Sequence, residues 1–231
     1  MYLDGKGVPA DAAKAVAWYT KAAEQGDVDA QDTLGGIYQV GACVPEDPVK
    51  AVAWFSKAAN QGYAPAQFHL GSMYDAGDDI YPGVPKDADK VLFWYSKAAA
   101  QGDVNAQFNL AMKYHLGLDL PKDPAKALAW FTKAAQQGHA VSMCYLGAMY
   151  TNEGSPERDS DVLPGSRSRM DLVKGYAWIT LALPRLTGPD SGWIKTTKED
   201  LKKTTDLMTP EQVEAGEALA KKLAKTIRAS E

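Results

Sequence analysis

The chain has 231 residues, of which 45% are hydrophobic, and a formal net charge of −4. That is enough apolar material for a sizeable core, and too little positive charge for the electrostatic footprint of a nucleic-acid binder. No apolar run approaches the roughly 20 residues of a membrane-spanning helix. Two cysteines, Cys43 and Cys144, are too few for a disulfide-stapled small domain.

From the start of the chain, Met1-Tyr2-Leu3-Asp4-Gly5-Lys6 lacks the charged start and apolar stretch of a secretory leader. As written the protein is expected in the cytoplasm; a removed leader would make it periplasmic or secreted. Charge is uneven: residues 1–171 carry a net −6 and residues 172–231 a net +2, a modest partner signal.

The first helical pattern centres on Trp18 and recurs at Trp54, Trp94, Trp130 and Trp178. Four copies are nearly identical: KAVAWYTKAAEQG, KAVAWFSKAANQG, KVLFWYSKAAAQG and KALAWFTKAAQQG. Ala15, Trp18, Ala22 and Gln25 fall on one helical stripe, which places the tryptophans in the core. Asp11, Asp47, Asp87 and Asp123 suit the N-cap, and Pro48 and Pro124 the first helical turn. Lys21, Lys57, Lys97 and Lys133 favour the negative end of the helix dipole, and Gly26, Gly62, Gly102 and Gly138 supply a left-handed stop.

A second helical element follows each of these four: AQDTLGGIY, AQFHLGSMY, AQFNLAMKY and SMCYLGAMY, ending at Tyr38, Tyr74, Tyr114 and Tyr150. Ala30, Leu34, Ile37 and Tyr38 form its apolar face. Gly35, Gly71, Ala111 and Gly147 keep one position small for a close neighbour. Gly-rich connectors such as Gln39–Glu46 lead to the next tryptophan helix. Four extra residues fall near Asp78–Pro82, and 12 fall inside Thr151–Arg169, a polar stretch expected to be a mobile surface loop. Near the end, Thr209-Pro-Glu-Gln212 is a capping box with proline at the first helical position. One helix pair cannot hide its apolar faces alone, whereas stacked pairs share a continuous core. The pattern predicts an all-α fold.

The run A-x-x-x-LG-x-x-Y, G-x-G-V-P-x-D, KA-x-x-W-(Y/F)-x-KAA-x-QG resembles the Sel1-like repeats, relatives of the tetratricopeptide repeats. The resemblance covers about residues 2–150 and resumes at Lys174–Trp178. It implies a right-handed superhelical solenoid of antiparallel helix pairs, usually bacterial, that binds proteins or peptides. On this reading residues 1–188 hold four to five repeats, the first incomplete because Met1-Tyr2 is the tail of a tyrosine-type helix, and residues 189–231 form capping helices. Some relatives clamp each repeat with a disulfide; Cys43 and Cys144 fall in different repeats and are expected to stay apart.

By the same resemblance, a second stripe of the tyrosine-type helix lines the concave groove. Its rows are Asp29, Asp32, Gly36 and Gln39; Pro65, Phe68, Ser72 and Asp75; Asn105, Phe108, Met112 and His115; and Val141, Cys144, Ala148 and Thr151. The first rows are acidic and the middle apolar, which suits an extended or helical segment with a basic end beside Asp29 and Asp32. Phe68 and Phe108 read equally as recognition anchors or as packing between repeats.

Catalytic and metal chemistry finds no constellation. His69, His115 and His139 have no ligand spacing with another His or Cys. A Cys144–His115 nucleophile pair requires adjacent helices to align; a buried inert thiol is the simpler reading. Some Sel1-like relatives are linked to β-lactamase or penicillin-binding activity, but Ser-x-x-Lys and Lys-Thr-Gly do not occur here. Phosphate-loop and dinucleotide fingerprints are also missing. The expectation is a non-enzymatic, monomeric adaptor without cofactor or metal, with a protein or peptide partner and neither nucleic acid nor membrane insertion. The alternative is a hydrolase of β-lactam or peptidoglycan-like substrates.

Overall fold

The computed structural model describes residues 12–151 and 169–228. Among them are eleven α-helices and no strand. The chain divides into two compact units, residues 1–106 and 107–231. In the first, α1 (Ala12–Glu24), α2 (Val28–Val40), α3 (Pro48–Asn60), α4 (Ala64–Ala76) and α5 (Ala88–Ala100) pack each on the next. The unit boundary falls inside α6 (Val104–Leu116). In the second unit α8 (Ala140–Thr151) packs on α7 (Pro124–Gln136) and on α9 (Arg169–Ala182). The last helices are α10 (Ile194–Thr205), against α9 and α8, and α11 (Pro210–Arg228), against α9 and α7. This is an all-α repeat fold of consecutively packed helix pairs. Among the described residues no helix is long and apolar enough to cross a membrane.

The local signals place the helices as expected. Asp47, Asp87 and Asp123 each accept a hydrogen bond from the backbone N–H three residues on, at 2.9, 3.0 and 3.0 Å. Their second oxygens meet the ammonium of Lys50, Lys90 and Lys126 at 2.8, 3.0 and 3.1 Å. For Asp47 the Lys50 side chain, and for Asp87 and Asp123 the backbone N–H, is the main cause holding the carboxyl below its ordinary range. The same ammoniums sit 5.5, 4.5 and 5.0 Å from the ring centres of Tyr38, Tyr74 and Tyr114. Each triad ties the end of one helix to the start of the next. Gly26, Gly62, Gly102 and Gly138 have φ between 90° and 97°, the left-handed stop that a side chain would strain. Thr209 and Gln212 close their capping box in both directions, at 2.7 and 3.4 Å. Asp11, the start of the chain and the insertion at 152–168 lie outside the described residues.

Placing all five tryptophans in the core requires correction. Trp94 and Trp178 are buried, Trp54 and Trp130 are half-buried, and Trp18 is 58% exposed. After Trp54, Trp94, Trp130 and Trp178 the sealed side chain is the next one along: Phe55, Tyr95, Phe131 and Ile179 are 0–1% exposed, whereas Tyr19 after Trp18 is half-buried. A 100° step per residue explains the exchange, because tryptophan and its successor straddle the apolar stripe and only one points at its centre. The tryptophan edge instead carries lysine: Lys21, Lys57, Lys97 and Lys133 lie 4.9, 3.7, 5.5 and 4.1 Å from the rings of Trp18, Trp54, Trp94 and Trp130. These lysines therefore act on the ring faces as well as on the helix dipole.

Candidate functional site

The candidate face begins with two carboxylates engaged by the next repeat. Tyr63 donates its hydroxyl hydrogen to Asp29 Oδ1 at 2.6 Å, and that bond pushes the phenol up to about 12. His69 Nδ1 stands 2.9 Å from Asp32 Oδ1. The acidic row on α2 is thus laced to α4 rather than left open. Gln39 donates to the hydroxyl of Tyr81, inside the four-residue insertion, at 2.7 Å. The insertion therefore folds back toward the candidate face.

On α4, Phe68 stacks on Tyr95 of the following repeat, with ring centres 5.8 Å apart and planes at 26°. It remains half-buried, as do Ser72 and Asp75 one and two turns on. Phe68 is both packing and surface: one face of the ring supports the neighbouring core and the rest meets solvent. Asn105, at the start of α6, is exposed.

The second unit carries an aromatic cluster. Phe108 lies 6.0 Å from Phe131, 4.8 Å from His139 and 6.1 Å from Tyr145. His115 meets Phe131 and Tyr145 edge-on at 6.0 and 5.6 Å, and Met112 packs against the same core. Phe131 and Tyr145 are parallel, 4.9 Å apart at 2°. Burial lowers the imidazole pKa of both histidines; at His115 the Lys122 charge adds to it, and at His139 Asp190 opposes it. The Cys144 thiol meets Thr197 Oγ1 at 3.3 Å, and burial pushes its pKa up. A thiol so held is a poor nucleophile. Among the described residues no group of three or more His, Cys, Asp or Glu is placed to hold a metal ion.

The fourth row is covered by the chain itself. Val141, Cys144 and Thr151 are buried, Thr197 of α10 contacts Cys144, and Trp193 lies 5.3 Å from Tyr145. Of the predicted positions, those on α2 and α4 are drawn together by Tyr63 and His69, and Phe108 and His115 share the Tyr145 cluster. Tyr63, His69, Tyr145 and Trp193 were not among the predicted residues. A signal existed for two of them: His69 and Tyr145 occupy the same position of the motif, next to Phe68 and Cys144.

A glutamine relay also escaped the pattern. Gln61, Gln101 and Gln137 donate to the side-chain oxygens of Gln31, Gln67 and Gln107 at 2.8, 2.7 and 2.9 Å. Gln31 and Gln67 in turn donate to the carbonyls of Ala23 and Ala59 at 2.9 and 3.1 Å, near the ends of α1 and α3. Gln31, Gln67 and Gln107 are buried, and the exposed Gln61, Gln101 and Gln137 satisfy their side-chain oxygens, joining each tyrosine-type helix to the end of the tryptophan-type helix that follows it. In α8 the equivalent residue is Met143, wholly buried, so the relay stops there.

The model of the Sel1 repeat matches residues 1–27, 28–63, 64–103 and 104–139. Each of the last three begins at a tyrosine-type helix and runs through the next tryptophan-type helix, and α2 and α4 do pack closely on α3 and α5. A Sel1 repeat protein from Oxalobacter formigenes is 27% identical with a TM-score of 0.64; the match covers 90% of this chain and 82% of that one. A protective antigen of uropathogenic Escherichia coli strains, described as displaying an SLR fold, is 27% identical with a TM-score of 0.51 over 98% of this chain. This chain spans about half of that antigen, 52% of its length. No curated protein matches. Four consecutive repeat matches covering more than half of the sequence place this chain in the Sel1 repeat family.

Proposed function

We propose that this Sel1 repeat protein is a non-enzymatic scaffold that binds a protein or peptide segment through its tyrosine-type helices, with Asp29, Asp32, Gln39, Phe68, Ser72, Asp75 and Asn105 as candidate contacts in the first unit and Phe108, Met112 and His115 as candidate contacts in the second. Sel1 repeat proteins are generally protein-interaction scaffolds. The observation that carries the reading is Phe68: a half-exposed ring braced on Tyr95 beside the Asp32–His69 pair. A ring held from behind loses little freedom on binding, so it suits an anchor, and nearby carboxylates favour a basic segment. Panning a random peptide library on the purified chain tests this. Enriched peptides should carry Lys or Arg beside an apolar residue and lose at least about tenfold in affinity on Phe68→Ala. Peptides that bind the fully helical Phe68→Ala and Asp29→Lys variants as well as wild type would refute it.

A further inference from the structure

We infer that His139 is a proton-sensitive N-cap: as a neutral imidazole it closes the first turn of α8, and on protonation it releases that turn and swings toward Asp190. Nδ1 stands 3.2 Å from the backbone nitrogen of Ser142 and 2.8 Å from its Oγ. A backbone N–H can only donate, so Nδ1 is the bare nitrogen of the ring and the proton sits on Nε2. The Ser142 hydroxyl then donates to the same lone pair. Ala140, Val141 and Ser142, the turn closed in this way, are all buried, and Ser142 fully so. Water therefore has no ready access to the Ser142 N–H when the ring lets go, and the first turn must open to reach it.

Other repeats fill this position differently. Asp27 and Asp103 cap α2 and α6, each accepting from the N–H three residues on at 2.7 Å, whereas Tyr63 before α4 makes no capping bond. A carboxylate caps through a negative charge that also suits the positive end of the helix dipole. An imidazole caps only while neutral: its protonated form has no acceptor at Nδ1 and sets a positive charge against the dipole. The charges around the ring favour one destination for it. Asp190, in the 3-10 segment Gly188–Trp193 that packs on α8, acts on His139 against the burial that lowers its pKa. The helix α8 itself carries no Asp, Glu, Lys or Arg. Lys126 and Lys133 of α7 lie over Tyr114 and Trp130, Lys174 of α9 lies over Tyr150, and Asp200 of α10 acts on Cys144. On α6, Lys113 pairs with Asp119 and His115 faces Tyr145, so the neighbour of His139 there is Phe108, with ring centres 4.8 Å apart. Opening of the cap therefore reaches a candidate contact of the second unit; that consequence alone rests on the proposed function.

Long-range proton–nitrogen NMR of the full chain reads Nδ1 of His139 between pH 8 and 4.5. It should resonate as a bare acceptor at the upper end and gain a proton at a midpoint below about 6.5, and Asp190→Asn should move that midpoint lower still. Hydrogen exchange on either side of the midpoint should show the Ser142 amide losing protection by about fivefold or more, the weight of one cap. His139→Asn, which caps without titrating, should hold that protection on both sides. His139→Ala should lack it on both, and His115→Asn should keep the wild-type drop. A protonated Nδ1 at pH 8, no midpoint above pH 4.5, or the same drop in His139→Asn as in wild type would overturn the inference. The NMR reading uses the wild-type chain and decides even where a variant fails to fold. No partner enters the experiment, so its failure leaves the Phe68 test intact.

Discussion

The ring of Tyr95 occupies the space in which a side chain at Gly71 would begin: a Cβ built there stands 2.5 Å from Cδ1. Gly35 meets Phe55 at the same 2.5 Å, and Gly147 meets Ile179 closer still. In α2, α4 and α8 this missing side chain lets the next repeat's core residue seat against backbone, and α6 keeps the position small with Ala111.

Gly71→Ala should therefore destabilise the chain by about 1–3 kcal/mol, the usual range for overpacking. Gly36 is the contrast: it lies in α2, and an added Cβ meets nothing within 4 Å. Gly36→Ala should be neutral or stabilise by up to about 1 kcal/mol through the lost flexibility of the unfolded chain. Urea denaturation of the two variants reads the difference directly.

Trp18 and Phe55 should respond in the reverse order of their conspicuousness in the sequence. Phe55→Ala empties a sealed core position and should cost about 3–5 kcal/mol. Trp18→Ala removes a ring that is 58% exposed, with Lys21 over it, and should cost about 1 kcal/mol or less. Thermal melts followed by circular dichroism separate the two; equal costs would contradict this assignment of the core.

The relay predicts coupling between Gln67 and Gln101. Gln67→Met copies the residue found at this position in α8 and should cost about 1–2 kcal/mol, since Gln101 and the Ala59 carbonyl each lose a buried partner. Gln101→Ala should cost less in that background than alone, by about 0.5–1.5 kcal/mol in a double-mutant cycle. Strict additivity would mean that the bond carries no energy.

Much of the fold is legible in the sequence because its signals are local and repeated. N-cap aspartates, stop glycines and the small position at Gly35 and Gly71 each state their own chemistry, and repetition removes accident. The tryptophans misled because the residue after Trp54, Trp94 and Trp130 is also aromatic, and one register step decides which of the two is sealed. The glutamine relay is invisible to an apolar pattern, since its members are polar and bond about 30 residues apart. For the candidate site, helical spacing proposes a stripe from Asp29 to Thr151. It could not indicate that α10 returns to cover Cys144, because a sequence dominated by Lys and Thr gives no sign of where it docks.

Acidification should weaken the second unit. Burial holds the folded pKa of His115 and His139 below the ordinary 6.5, so as pH falls the unfolded chain takes up protons first. This contribution is complete above about pH 6.5 and is lost as pH falls below it toward the folded values. Urea midpoints should be lower at pH 5 than at pH 7.5, and His139→Asn should flatten that slope. The capping carboxylates titrate below 3.8 and act outside this window.

A photoreactive benzophenone side chain installed at Ser72, and separately at Lys97 on the outer edge of α5, tests the scaffold reading most directly. With peptides selected on the wild-type chain, adducts should form at Ser72 beside Phe68 and not at Lys97. Adducts confined to Lys97 would place recognition on the lysine-capped tryptophan edge and contradict the account.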